Sequence, residues 1–242
     1  MIAPAPLGLF LIVIAGLLAV LVVVFGRASQ SGFRMPLIVV LIWVAATGAT
    51  PFVFQAIGLG ASGQFPTFAA TLIATIVLAL SSVGTRVVAA NGLALLAAIQ
   101  VFRFPLEYVL IVWYDAGFMP VQMTWRGENF DVITGLLALP AAVLIARGFY
   151  PNLIAFIFNA FGLAMLVKII WIVANSSPTP LRQLTGGYET GPDVLVGLYF
   201  PTVWIASIAV AGAFFLHTAS LAHVLRRIRR SKDQLAKINP EE

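Results

Sequence analysis

The sequence predicts an all-α, polytopic membrane bundle of seven transmembrane helices, with its N-terminus outside and its C-terminus in the cytoplasm. Three observations carry this. First, 61% of the 242 residues are hydrophobic and only 10% are charged, whereas soluble domains carry about 25% charged residues. A fold of this size in water has nowhere to bury so much apolar surface, so its solvent is lipid. Second, apolar runs close to the ~20 residues that cross a hydrocarbon core recur seven times, near 6–26, 36–58, 66–83, 91–114, 131–147, 153–174 and 197–223. Third, the basic residues fall on alternate connections.

The first run begins almost at Met1, has no positively charged leader and is too long for a signal-peptide core, so it reads as a retained helix. Arg27 and Arg34 follow it, Arg86 lies between runs three and four, and Arg147 between five and six. Arg226, Arg227, Arg229, Arg230, Lys232 and Lys237 form a basic tail, 226–242, behind a transmembrane domain of residues 1–225. The opposite connections hold Asp115, Glu128, Asp131, Glu189 and Asp193, with Arg126 and Arg182 as their only bases. The positive-inside bias therefore sets N-terminus out and C-terminus in, which requires an odd number of spans. The isoelectric point near 10 comes largely from this tail, so it is a topology signal. The expected partners are the bilayer and, in one reading, other membrane subunits, with no nucleic acid. The expected location is a bacterial inner membrane.

Pro51, Pro105, Pro140 and Pro201 fall within runs and predict kinks. Ala45 and Ala49, four apart, suit a close helix crossing. Cysteine is absent, which removes disulfides, thiolate nucleophiles and Cys-ligated metals. No phosphate-binding loop, serine-elbow, zinc-protease or dinucleotide motif occurs, so nothing marks an enzyme. No internal repeat announces a transporter of the inverted-repeat kind. Two long outer loops, 115–130 and 176–196, are rich in turn residues and together are placed to cap the outer face.

Few polar residues interrupt the apolar runs. At 1.5 Å per residue, Arg103 falls near mid-membrane and Glu107 a turn further out. Lys168 reaches a depth similar to Glu107, Gln55 lies in the outer half, and Asn159 and His217 lie in the inner half. Each buried charge costs roughly 2.5–3.5 kcal/mol to insert, so such groups face the bundle interior and seek partners. The spacing puts Gln100, Arg103 and Glu107 on one face. Pro105 bends the backbone between the last two, which directs each to a partner on another helix, with Lys168 expected for Glu107.

In the segment Met123–Asp131, Asn129 or Asp131 can cap the following helix. Alternatively, the segment is a lid whose Thr124, Arg126, Asn129 and Asp131 reach down to Arg103 and Glu107. Trp113, Tyr114 and Trp125 read as interfacial belt residues. His217 and His223 are six apart and make no i, i+4 metal pair. His217 is a core histidine or, as the one cofactor candidate, a haem ligand. Lys168 is not in the last run, which argues against a retinal protein.

The strings FRFPLE, MTWRGENFD and YFPTVW with the later FLH resemble those of a family of uncharacterised bacterial multi-pass membrane proteins, over about the last 150 residues. The resemblance implies Arg103, Glu107, Thr124, Gly127, Asn129, Asp131, Arg182 and His217 as family positions; Lys168 is not among them. The leading expectation is an outward-facing intramembrane pocket for a small polar or anionic ligand or ion, transporter-like or sensor-like. Its candidate residues are Gln55, Arg103, Glu107, Thr124, Arg126, Asn129, Asp131, Lys168 and Arg182. The alternatives are an accessory or assembly subunit of a larger inner-membrane complex, and an intramembrane enzyme acting on a lipid substrate.

Overall fold

Where backbone polar groups have no water to turn to, helices satisfy them internally, and the apolar runs fold accordingly. In the structure, a computed structural model describing residues 4–188 and 191–238, the chain is 80% helical and the described residues hold no strand. Glu189 lies outside the described residues, as does the side chain of Lys237. In chain order the helices are α1 (Pro4–Ala28), α2 (Arg34–Ala56), α3 (Gln64–Leu80), α4 (Ser82–Ile99), α5 (Arg103–Asp115), α6 (Asp131–Ala146), α7 (Pro151–Ser176), the short α8 (Pro180–Thr185) and α9 (Ala211–Ile238).

Among the described residues, five stretches are long and apolar enough to cross a membrane: Leu7–Ala28, Arg34–Ala56, Ser82–Asp115, Pro151–Ser176 and Ile205–Gln234. The apolar helices Gln64–Leu80 and Asp131–Ala146 are shorter; at 17 and 16 residues they are about 25 Å long, against a ~30 Å hydrocarbon core. α9 is the hub and packs on α3, α4 and α7, while α6 packs on α4, α5 and α7. α1 lies against α4 and α5, where Phe10, Ile14, Leu17, Val109 and Trp113 form the largest apolar cluster. Outward faces stay apolar: Ile38, Ile42, Ile73, Val77, Leu139, Ile157 and Val167 are exposed, a surface of the kind that lipid or a protein partner covers.

Three expectations are corrected here. The fourth run, expected from 91, is preceded by further helix: α4 starts at Ser82, with Ser81 alone between it and α3, and its backbone breaks at Gly92 (φ 75), beside the expected start. The seventh is not helical from 197. Residues 198–203 turn, a π-helical segment follows over Ile205–Val210, and α9 then carries the basic residues Arg226–Lys232 as a continuing helix rather than a separate tail. Pro201 thus precedes the helix. Trp113 is fully buried against Phe10 (ring centroids 5.4 Å apart), so it is a core residue and no belt residue.

α2 is the most peripheral span. Ala45 and Ala49 are exposed, and the buried face is Thr47 and Gly48. Two indoles fasten that face to the π segment: Trp43 Nε1 donates to the Ser207 carbonyl (3.0 Å), and Trp204 Nε1 donates to the Val44 carbonyl (3.2 Å). Trp204 lies over Gly48, where a Cβ would come within 3.2 Å of it. Pro51 has no N–H for the Thr47 carbonyl, and the Thr50 hydroxyl supplies the missing donor at 2.8 Å. Thr50→Val is expected to cost about 1 kcal/mol, read as a lower Tm of the purified protein. The same change should be nearly silent in a Pro51→Ala background, where the backbone donor is restored.

Candidate functional site

Pro105 also sets the site. It cannot bond the carbonyl one turn back, and the chain tightens into a 3₁₀ turn over Gln100–Phe102 before α5 starts at Arg103. Gln100, Arg103 and Glu107 all point inward, at 1%, 1% and 2% exposure. α6 crosses this break closely at Gly135, where a Cβ would lie 2.7 Å from the Phe104 backbone nitrogen. One turn earlier on the same face of α6, Asp131 accepts a hydrogen bond from Arg103 Nη1 at 2.6 Å.

Asn129 organises the second carboxylate. Its Nδ2 donates to Glu107 Oε1 (2.8 Å) and to the Met123 carbonyl (3.0 Å), while its Oδ1 accepts from the Asp131 N–H (3.1 Å). Asn129 therefore both satisfies the start of α6 and anchors Glu107. Of the segment 123–131, Met123, Asn129 and Asp131 border the site, Thr124 and Asn129 are fully buried, and Thr124 closes its own turn onto the Val121 carbonyl (2.8 Å).

A cavity of about 90 Å³ adjoins this cluster. Arg103, Glu107, Asn129, Asp131, Gln64 and Ser177 give it a polar end, and apolar side chains of α3, α5, α7 and the π segment line the rest. Within the described residues, several buried polar atoms at this centre have no hydrogen-bond partner: Arg103 Nε and Nη2, Glu107 Oε2 and both polar atoms of the Gln100 amide. Such orphans are rare in folded proteins, and each costs on the order of 1–3 kcal/mol unless something else satisfies it. One guanidinium balances one carboxylate, so the cluster is electrically neutral when the second carboxylate holds a proton or a cation.

The other sequence candidates lie elsewhere. Gln55 is exposed on α2. Arg126 pairs with Asp115 (2.7 Å) on the surface. Lys168 does not meet Glu107; its ammonium sits 4.6 Å from the centre of the Phe130 ring, a cation–π contact that the bend between α5 and α6 makes available. Arg182 clasps the connection that follows α8, bonded to Asp193 and, at 3.3 Å, to the Tyr188 carbonyl. Burial, reinforced by the Glu128 carboxylate, pushes the Tyr188 phenol above its ordinary value, which marks where the connections after α5 and after α8 meet.

His217 is fully buried, with Nδ1 2.8 Å from Asn159 Oδ1. Gly162 packs so tightly on its other edge that a Cβ there would overlap Cε1 and Nε2. That leaves no room for iron and a porphyrin on Nε2, so the haem expectation is corrected.

Sequence reasoning missed Gln64 and Ser177. Gln64, only 4% exposed, lies 3.1 Å from the Thr50 hydroxyl. Its signal was present in the spacing Gln64, Thr67, Thr71, a polar stripe along one face of α3. No family model, curated protein or solved structure matches the chain.

Proposed function

We propose that this chain is an integral protein of a bacterial inner membrane that binds a small polar or anionic group inside the membrane, in a transporter-like or sensor-like role. In this reading the five long apolar stretches and the two shorter helices make seven crossings, with α4 and α5 as one. The alternation of Arg27, Arg34, Arg86, Arg147 and the α9 bases with the acidic connections favours N-terminus out and C-terminus in. The resemblance of its motif strings to a family of bacterial multi-pass proteins agrees with this placement.

One observation carries the functional reading. Arg103 is buried beside a cavity with part of its guanidinium unpartnered among the described residues, and Glu107 has a free carboxylate oxygen beside it. A cluster that served only to hold helices in register would be expected to satisfy its own donors and acceptors; this one leaves them for something else. Intramembrane charges of this kind mark ligand or ion sites by default.

The test is thermal stability of the purified protein against a panel of anions that includes formate, acetate, chloride and phosphate. At a hundredfold excess over Kd, a bound anion adds about 2.7 kcal/mol, a clear rise in Tm. That rise is expected to vanish in the double variant Arg103→Gln, Asp131→Asn, which removes the charge without stranding a partner. A rise that persists in the double variant, or no rise with any anion, would overturn the reading.

A further inference from the structure

We infer that the ligand is a long-chain, single-tailed carboxylic acid that enters sideways from the bilayer, docks its carboxylate on Arg103, and leaves most of its tail in the lipid between α3 and α7. This rests on the reading of Arg103 as a binding group and adds the ligand's chemistry and route.

The head is set by which edge of Arg103 is free. Nη1 is taken by Asp131, while Nε and Nη2 have no partner among the described residues. Those two nitrogens form one planar edge of the guanidinium, whose parallel N–H bonds match the two oxygens of a carboxylate. Glu107 Oε2, also without a partner there, borders the same cavity. An acid in the lipid phase is neutral. Where Glu107 is ionised, the acid's O–H bond breaks on docking, the proton forms a new O–H on Glu107 Oε2, and the resulting carboxylate takes the Arg103 edge. The site, which carries one net negative charge with Glu107 ionised beside the Arg103–Asp131 pair, has the same charge before and after, so docking adds no charge to the membrane.

The tail follows from size and surroundings. A dry cavity of about 150 Å³ holds benzene, and this one is about 90 Å³. It accommodates a head and a few methylenes but no complete lipid, so the remainder must leave through an opening. α3 and α7 each pack on α9 and barely touch one another. Phe68 of α3 and Ile170 and Val173 of α7 line the cavity there and are only partly buried, with their outer sides towards lipid. The aqueous side is closed: Ser177 Oγ donates to the Val194 carbonyl (2.9 Å) and the Val194 N–H to the Ser176 carbonyl (2.8 Å), which seats Val194, Val196 and Leu198 over the cavity.

The experiment uses the full chain in phosphatidylcholine nanodiscs with a palmitate carrying a diazirine on its tail. Photolabelled peptides are mapped by mass spectrometry, and Tm shifts with palmitate and acetate are recorded in parallel. Labelling is expected on α3 and α7, displaced by palmitate but not by methyl palmitate, and reduced at least tenfold in Arg103→Gln, Asp131→Asn. Val173→Trp, which fills the cleft, should abolish labelling while the acetate shift remains. Phe68→Ala, which widens it, should raise labelling and guards against a misfolded tryptophan variant. Acetate and palmitate giving equal shifts, or labelling unchanged by both cleft variants, would overturn this inference while binding at Arg103 stands. If no carboxylate binds but an inorganic anion does, in an Arg103-dependent way, the inference likewise falls alone. No anion of any kind shifting Tm would sink it together with the reading it rests on.

Discussion

Asp131→Ala is expected to cost the protein about 3–5 kcal/mol, the usual penalty for leaving one member of a buried ion pair uncompensated. In a chain of this length each kcal/mol moves Tm by roughly 2–4 °C, so the drop is on the order of 10 °C. Arg103 is 1% exposed, and its 2.6 Å contact with Asp131 is its one ion pair among the described residues. Removing the carboxylate leaves a fully buried guanidinium without its ion-pair partner. Combining the change with Arg103→Leu should recover most of the loss, because replacing both charges by apolar groups is often near neutral. Thermal unfolding in detergent of wild type, both single variants and the double variant measures this. A double variant no better than the sum of the singles would contradict the pairing.

The second large effect is expected from one methyl group. At Gly135 a Cβ would meet the Phe104 backbone nitrogen at 2.7 Å, with Arg103 Cβ and Phe104 Cα both at 3.3 Å. Backbone cannot swing aside as a flexible side chain does, so Gly135→Ala forces α6 away from the 3₁₀ break. Overpacking of this kind costs about 1–3 kcal/mol, and it also lengthens the Arg103–Asp131 contact one turn away. The two losses share a cause, so Gly135→Ala and Asp131→Ala should be less than additive in a double-mutant cycle. Simple additivity of the two Tm shifts would show that Gly135 does not act through the ion pair.

Hydropathy located the helices well because lipid leaves the backbone few alternatives, and the positions of α1, α2, α3, α6 and α7 follow the apolar runs closely. It failed at the ends of the fourth and seventh runs. There Ser81 caps α4 by accepting the Val83 N–H, and the chain before Ile205 turns despite its apolar residues, neither of which alters average hydropathy. Within the site, the spacing of Gln100, Arg103 and Glu107 was legible because local geometry fixes a helical face. The partner of Arg103 was not, since Asp131 is 28 residues away and its approach depends on Gly135 having no side chain. Lys168 matched Glu107 in depth, but depth is one coordinate of three, and azimuth around the bundle placed Lys168 over Phe130 instead.

The exchange of indole bonds between Trp43 and Trp204 has a mechanical consequence. A helix touching its bundle on one narrow face, held at a single point, can swivel about its own axis. Bonded to the π segment through the adjacent residues Trp43 and Val44, and to Gln64 of α3 through Thr50 two turns on, α2 is held against that rotation. The Trp43 bond ends in the π turn whose Ile205, Ala206, Ala209 and Val210 form a wall of the cavity. The seat of α2 and that wall of the cavity are therefore one piece of structure.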